Sequence, residues 1–358
     1  MYRLLRALLF LLPAEFAHHL GLFFLRVLGA DPILCRRMRR NALRTGVDLS
    51  VEVAGVRWPS AVGLAAGLDK DATAVKGLYA LGFGAVEVGT LTPRPQPGNP
   101  KPRLFRIPEH QAVINRMGFN NRGAKDAARR LSRLGPRPAP LGINLGKNKD
   151  TPLERAAEDY ERCVELLADK ADYLVINASS PNTPGLRSLQ EPQALTALLQ
   201  RVRTRVDQVA PRCPLFLKIA PDLEPEAVDE IVDVAIACRL DGLIATNTTL
   251  ARPFEHPVAQ EAGGLSGAPV KERSTAVIRR AYLRAAGRLP IIGVGGIFTA
   301  EDAYAKLRAG ASAVQVYTGL IYEGPGMVRR LHQGLAALLQ RDGHSSVREV
   351  IGVDARQR

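Results

Sequence analysis

Residues 141–179 read LGINLGKNKDTPLERAAEDYERCVELLADKADYLVINAS. Two short apolar runs, LGINLG (141–146) and YLVINAS (173–179), flank ERAAEDYERCVELLAD (154–169), whose apolar residues recur at helical spacing. Strand, helix, strand in that order is the parallel β-α-β unit. The runs are almost continuously apolar, as strands buried on both faces are. Each nevertheless ends in polar residues. Asn144 closes the first, and Asn177 closes the second before SSPNTPGL (179–186), a loop stiffened by two prolines.

The same unit recurs on both sides. Further strand-like runs are AVGLAAG (61–67), AVEVGT (85–90), LFLKIA (215–220), GLIATN (242–247), PIIGVGG (290–296) and AVQVYT (313–318). Helical patterns lie between them, including EPEAVDEIVDVAIACR (224–239) and AEDAYAKLRAG (300–310), where Thr299 is a natural N-cap and Gly310 a stop. Eight strands alternating with helices place the chain in the α/β class and favour a closed (β/α)8 TIM barrel over an open doubly wound sheet. VEVAGVRW (51–58) predicts a small hairpin ahead of the barrel. Intervals 91–140 and 248–289 are too long for plain loops and predict excursions over the barrel mouth. The expected organisation is a helical extension over 1–45, a barrel over 46–340 and a polar tail over 341–358.

The chain has 358 residues, enough for one barrel and an appendage, with 46% hydrophobic and 23% charged residues. Its net charge of +14 favours an anionic partner. Nucleic acid is not that partner on this reading. The basic residues are scattered, and no helix-turn-helix, RNP or zinc signature is present; the densest cluster is CRRMRR (35–40). The four cysteines are far apart and form no C-x-x-C pair, which speaks against a metal site or a disulfide framework.

The first thirty residues contain a clean apolar run, ALLFLLPA, much shorter than the ~20 residues of a membrane span. A basic start and short apolar centre also fit a signal peptide. The preferred reading is a pair of amphipathic helices. One follows Pro13, with Phe16, Leu20, Phe23, Phe24, Val27 and Leu28 on one side; the other starts after Asp31 and carries the basic cluster. Such a pair suits an anionic lipid surface, and equally a cap packed on the main domain.

Chemistry collects at the strand ends, where barrels of this kind place their sites. Lys70, Thr90, Asn144, Asn177, Lys218, Thr246-Asn247-Thr248, Gly295-Gly296 and Tyr317-Thr318 fall at or near them. GVGGI followed by a capped helix, the turn in QVYTGL and the glycine-rich GGLSG (263–267) together predict a phosphate site. Lys218, inside an apolar strand, requires an anionic companion, for which a reduced flavin is suited.

GLAAGLDKD, INRMGFNN, INASSPNTPGL, KIAPD, ATNTT, GGLSG, GVGGI and VYTG, in this order, resemble the quinone-dependent (class 2) dihydroorotate dehydrogenases from about residue 13 to 340. The resemblance implies oxidation of (S)-dihydroorotate to orotate with FMN, then reduction of a membrane quinone, in pyrimidine biosynthesis. It implies Ser180 as catalytic base. It implies Lys70, Asn115, Arg116, Met117, Gly118, Phe119, Asn177, Asn182, Asn247 and Thr248 as substrate ligands. For FMN it implies Ala65, Ala66, Gly67, Leu68, Asp69, Thr90, Asn144, Asn177, Lys218, Thr246, Gly267, Gly296, Tyr317 and Thr318. His18 and Arg106 match quinone-pocket positions. The implied location is peripheral, on the cytoplasmic face of a bacterial inner membrane.

The residues agree with that chemistry. Orotate is planar with amide-like edges, which asparagines match by offering both donors and acceptors, and Lys70 suits its carboxylate. Serine is a weak base, and no histidine or carboxylate adjoins Ser180 in the sequence, so a water relay or a threonine of NTT must assist it. The soluble class has cysteine there. Two alternatives remain at this point: another FMN barrel such as a hydroxyacid oxidase, which the six histidines, all outside the strand ends, count against; and a catalytically silent flavin protein, which intact Ser180, Asn177, Asn182 and Lys70 count against. With the extension serving the quinone alone, removal of residues 1–40 preserves dihydroorotate oxidation and impairs quinone use.

Overall fold

The structure, a computed structural model, describes residues 2–356. The chain opens with helices α1 (Tyr2–Leu11), α2 (Ala14–Leu28) and α3 (Pro32–Ala42), then the hairpin of β1 (Val51–Val53) and β2 (Val56–Trp58). Then come β3 (Val62–Leu64), α4 (Val75–Ala80), β4 (Val86–Leu91), β5 (Leu104–Ile107), β6 (Ala112–Asn115), α5 (Ala124–Leu131), β7 (Leu141–Leu145), α6 (Ala156–Leu167) and β8 (Tyr173–Asn177). The second half holds α7 (Pro192–Val209), β9 (Leu215–Ile219), α8 (Pro225–Ala237), β10 (Gly242–Ala245), β11 (Gly264–Gly267), α9 (Lys271–Ala285), β12 (Ile291–Val294), α10 (Ala300–Arg308), β13 (Ala313–Val316), α11 (Thr318–Glu323), α12 (Met327–Arg341) and α13 (Val353–Arg356).

Eight strands, β3-β4-β7-β8-β9-β10-β12-β13, close into a barrel. All neighbours run parallel, and closure is made by Val314 opposite Val62 and Val316 opposite Leu64. The (β/α)8 expectation holds. Side chains fill the inside at the entry end of the strands, where Trp58 of the hairpin stacks on Tyr173 at 6.0 Å and Phe216 meets Tyr173 edge-on at 5.5 Å. Gly142 is required there, since a Cβ would lie 2.2 Å from the Tyr173 ring. This packed floor leaves the opposite rim as the open one.

Both predicted excursions meet above that rim. The 91–140 interval supplies β5 and β6, and the 248–289 interval supplies β11, which pairs antiparallel with β6. Most of the glycine-rich GGLSG is therefore strand: the long loop from β10 brings it alongside β6, and the ladder overrides its glycine content. Thr299 caps α10 with Asp302 in a reciprocal capping box, and Gly310 follows that helix at φ +119°.

Two expectations about the ends are revised. The extension holds three helices, because the run before Pro13 forms α1, docked by Tyr2 Oη to the carbonyl of Ile321 (2.6 Å) and Arg6 to that of Tyr322 (3.0 Å). Asp31 caps α3 by accepting from the N–H groups of Ile33 and Leu34, as its sequence position predicts. At the other end, residues 342–356 are not a loose tail. Val347 and Val350 are fully buried, and Ser346 bridges to Asp48 ahead of the hairpin. Two apolar residues three apart suffice to seat a short helical turn.

Candidate active site

A cavity open to solvent at its mouth occupies the rim where the strands end. Its wall gathers Ala65, Ala66, Gly67 and Lys70 from the β3 end, Thr90 from β4, and Asn177, Ser180 and Asn182 from the β8 end. Lys218 of β9, then Thr246, Asn247 and Thr248 after β10, continue it, and Gly267, Gly296, Tyr317 and Thr318 complete it. From the excursion come Asn115, Met117, Gly118 and Phe119. Residues as far apart in the chain as Ala65 and Thr318 thus share one space, as the strand-end reading predicts.

Four predicted residues lie behind this wall. The Asp69 carboxylate accepts from the N–H groups of Thr73 (2.8 Å) and Ala74 (2.7 Å), so it shapes the turn into α4. Leu68 is buried in the core. Asn144 sits one layer down, accepting from Thr90 Oγ1 at 2.5 Å and Asn177 Nδ2 at 3.1 Å. Arg116 turns outward to pair with Glu261 at 2.5 Å and cover Phe105. Its backbone still belongs to the site loop, because its carbonyl accepts from Asn99 Nδ2 at 3.0 Å.

The cavity amides form two hydrogen-bonded pairs. Asn247 Nδ2 donates to Asn177 Oδ1 (3.2 Å) and Ser179 Oγ (3.0 Å), while Asn182 Nδ2 donates to Asn115 Oδ1 (3.1 Å). Each acceptor or donor held this way fixes which edge the amide turns to the cavity. Arg187 locks the loop by donating to the carbonyls of Ser179 (3.0 Å) and Thr248 (2.8 Å) and to Asp222 (2.8 Å). Sequence reading passed over both Arg187 and Asp222, whose roles depend on contacts 35 positions apart.

Ser180 Oγ accepts from the N–H of Asn182 at 3.3 Å, and no histidine or carboxylate lines the cavity among the described residues. Thr248 Oγ1 is buried with no hydrogen-bond partner among the described residues. Gly264 makes room for it, since a Cβ there would lie 1.9 Å from that oxygen.

Two ammonium groups face the cavity. Lys70 Nζ contacts the Gly67 carbonyl (2.6 Å) and Met117 Sδ (3.4 Å). Burial, then the nearby Arg103 charge, brings its pKa down to about 8. Lys218 is 6% exposed and makes no hydrogen bond or ion pair among the described residues. Burial lowers its pKa, opposed by the charge of Glu87. Glu87, fully buried inside the barrel, accepts from Asn144 (2.9 Å) and Gln315 (2.8 Å). It is a site-supporting residue that sequence reading missed, although its signal, a charge within an apolar strand, is the one that singled out Lys218.

The N-terminal helices stand beside this rim. His18, on α2, is half-buried, and its pKa is pushed down to about 3 by burial and then by the Lys70 charge, which leaves the ring neutral. Arg106 donates to the carbonyls of Leu9, Phe10 and Leu12 and covers the Phe10 ring at 4.6 Å, so it caps the end of α1. Neither residue lines the cavity itself.

Comparison with known proteins agrees with this geometry. The family model "Dihydroorotate dehydrogenase" matches residues 48–339. The chain belongs to the dihydroorotate dehydrogenase family. Among its relatives, the dihydroorotate dehydrogenase (quinone) of Myxococcus xanthus is 66% identical over 358 residues, covering 100% of this chain and 99% of that protein. That of Thermus thermophilus is 53% identical over 345 residues, covering 96% and 98%. The crystal structure of Eimeria tenella DHODH in complex with ferulenol superposes with a TM-score of 0.86 at 40% identity, covering 96% of each chain.

Proposed function

We propose that this chain oxidises dihydroorotate to orotate, with FMN as the hydride acceptor and a membrane quinone as the final electron acceptor. The observation that carries the reading is the cavity itself: the Ser180 hydroxyl, four asparagine amides and two desolvated ammonium groups, with no acid or imidazole among the described lining residues.

The residues fit a flavin mononucleotide. Lys218 is a buried cation without a protein partner, as a site for a group that becomes anionic on reduction requires. The N–H groups of Gly296 and Ile297 donate to nothing among the described residues, and Gly296 has φ +69°. They are free donors in a glycine turn, suited to a phosphate. Thr90, Thr246, Gly267, Tyr317 and Thr318 would complete that hold. When bound, FMN supplies an acceptor for the hydride that leaves C6 of the substrate.

The chain's own residues do the rest. Asn115, Asn177, Asn182 and Asn247 orient the flat pyrimidine by its amide edges, and Lys70 pairs with the carboxylate. Ser180 takes the proton from C5. With no protein base at hand, the serine proton passes to water, directly or through the Thr248 hydroxyl, which accepts it while handing its own proton on to water. The Arg187 clamp holds Ser180 and Thr248 in register for this.

Quinone use and membrane attachment rest on the extension. Among the described residues, no helix is long and apolar enough to cross a membrane. All the exposed large apolar side chains except Val209, Leu250 and Leu283 lie on α1–α3, among them Leu4, Leu8, Leu11, Phe16, Phe23, Phe24 and Ile33. Exposed Arg3, Arg26, Arg36, Arg37 and Arg40 flank them. An apolar face with an arginine border suits an anionic bilayer surface, from which a quinone reaches the rim beside His18. The test is an absorption spectrum of the purified protein before and after dihydroorotate. A flavin band that bleaches, with orotate formed and colour restored by quinone, supports the assignment. A band that persists refutes it.

A further inference from the structure

The Arg103 side chain is 7% exposed and the Glu15 side chain 13% exposed, and they form the least exposed ion pair around the rim. Arg103 Nη2 and Nε donate to the two Glu15 oxygens at 2.7 and 3.2 Å. Glu15 belongs to α2, and Arg103 sits just ahead of β5. A pair this dry is not a surface ornament, because either charge alone would be left desolvated. The contacts continue inward. Arg103 Nη1 donates to the carbonyls of Pro97 (2.6 Å) and Asn99 (2.9 Å). Asn99 Nδ2 in turn donates to the carbonyls of Arg116 (3.0 Å) and Asn182 (3.1 Å). A continuous path of hydrogen bonds therefore runs from the N-terminal extension to the loop that presents Asn115 and Asn182.

We propose that Glu15 is a positioning residue for the dihydroorotate half-reaction: by neutralising Arg103 it holds the 97–99 turn against Asn182 and keeps Lys70 charged for the substrate carboxylate. The inference rests on the assignment of Lys70 and Asn182 to substrate above. It departs from the sequence expectation that the extension serves the quinone alone. The ionic groups acting on Lys70 are Arg103, Asp71, Glu15 and Asp69, and His18 lies close enough on α2 to be influenced by it. Arg103 and Glu15 act on it in opposite senses. Without Glu15, the Arg103 charge is uncompensated and favours loss of the Lys70 proton. An anion then binds less well, and the alkaline limit of binding moves to lower pH. Lys101, 3.6 Å from Glu15 but 66% exposed, is screened by water and contributes little.

The test uses full-length holoprotein. Orotate binding is followed through the flavin band across pH, beside steady-state KM values for dihydroorotate and quinone. In Glu15→Gln we expect the dihydroorotate KM at pH 8 to rise about fivefold, the alkaline limb of orotate binding to fall by roughly one pH unit, and the quinone KM to stay within about twofold. The doubly neutral Glu15→Gln/Arg103→Gln protein, which no longer carries the opposing charge, is expected to return the limb to at least its original pH. Lys70→Met is the reference. If it binds orotate normally, the Lys70 assignment falls and this inference with it. If Lys70→Met loses binding but Glu15→Gln leaves the limb in place, the Glu15 inference alone is overturned. It is also overturned if Glu15→Gln raises only the quinone KM, or if the double variant is no better than the single one, since mere docking of α2 then explains the pair.

Discussion

Lys70 gives the site a pH dependence that an ordinary lysine does not. Its pKa of about 8, against an unperturbed 10.5, reflects burial first and the Arg103 charge second. Protein contacts are limited to one carbonyl and one thioether, so little holds the proton in place. On the assignment proposed above, it is the charged form that binds the substrate carboxylate. Affinity is therefore complete at pH values below about 8 and is lost as pH rises through that value. If the ammonium is required, the dissociation constant of orotate grows as one plus ten to the power of pH minus pKa, about elevenfold at pH 9 and about a hundredfold at pH 10. A lysine left at 10.5 would give only about a 1.3-fold change at pH 10. Titrating oxidised holoprotein with orotate from pH 6 to 10, by the shift of the flavin band, measures this directly. Lys70→Met supplies the baseline, since its remaining pH dependence belongs to the ligand and to other groups. An affinity that stays flat to pH 9.5 after that correction refutes the reasoning.

Ser180→Ala is expected to retain flavin but to slow its reduction by dihydroorotate ~10²-fold or more, the contribution of a general base; stopped-flow absorbance reads this, and near-normal reduction places the base elsewhere. Lys218→Met is expected to weaken flavin retention while raising the melting temperature of the flavin-free protein, because an uncompensated buried cation is removed; differential scanning calorimetry with and without FMN checks both signs, and a lower flavin-free melting temperature contradicts the account. Replacing Phe23 and Phe24 by Ser is expected to lower partitioning onto anionic vesicles by at least about tenfold, given about 1.5–3 kcal/mol for each fully buried aromatic side chain. Co-sedimentation measures it, and unchanged binding moves the lipid contact off α2.

The barrel was legible because its strands carry two signals at once, apolar bodies and polar ends, and parallel topology puts all those ends on one rim. That is why Asn177, Lys218 and Thr246, each weak alone, converge as predicted. What the sequence concealed is distance from the rim. Asp69 and Asn144 sit in the same motifs as true wall residues, yet their side chains are consumed by Thr73, Ala74, Thr90 and Glu87. Strand β11 was hidden because a glycine-rich segment has no side-chain periodicity, and only its non-local partner β6 makes it a strand. The extension was read by its apolar face. Its ionic face, Glu15 toward Arg103, needs a partner 88 positions away and leaves no local trace.

The chain contains its own controls for what an unpaired buried lysine means. Lys147 and Lys306 are as buried as Lys218. Lys147 donates to the carbonyls of Asn148 (3.0 Å) and Thr151 (2.7 Å). Lys306 donates to the Lys271 carbonyl (3.2 Å) and to the hydroxyls of Ser274 (3.1 Å) and Thr275 (2.9 Å). In both cases the fold supplies acceptors for the ammonium it removes from water, as a structural lysine demands. Lys218 is denied them, although it stands in register with Asn177 and in the field of Glu87. A stable barrel alone gains nothing from such a residue, since a leucine there would cost less. Its presence fits an acceptor that arrives from outside the chain, and such an acceptor would stabilise the fold when it binds, by an amount that grows with the logarithm of its concentration over its dissociation constant. The same logic applies in weaker form to Lys70, with one good acceptor. The two incomplete lysines face one cavity and the two complete ones do not, so the pattern of unmet hydrogen bonds points to the proposed ligand cavity independently of any motif.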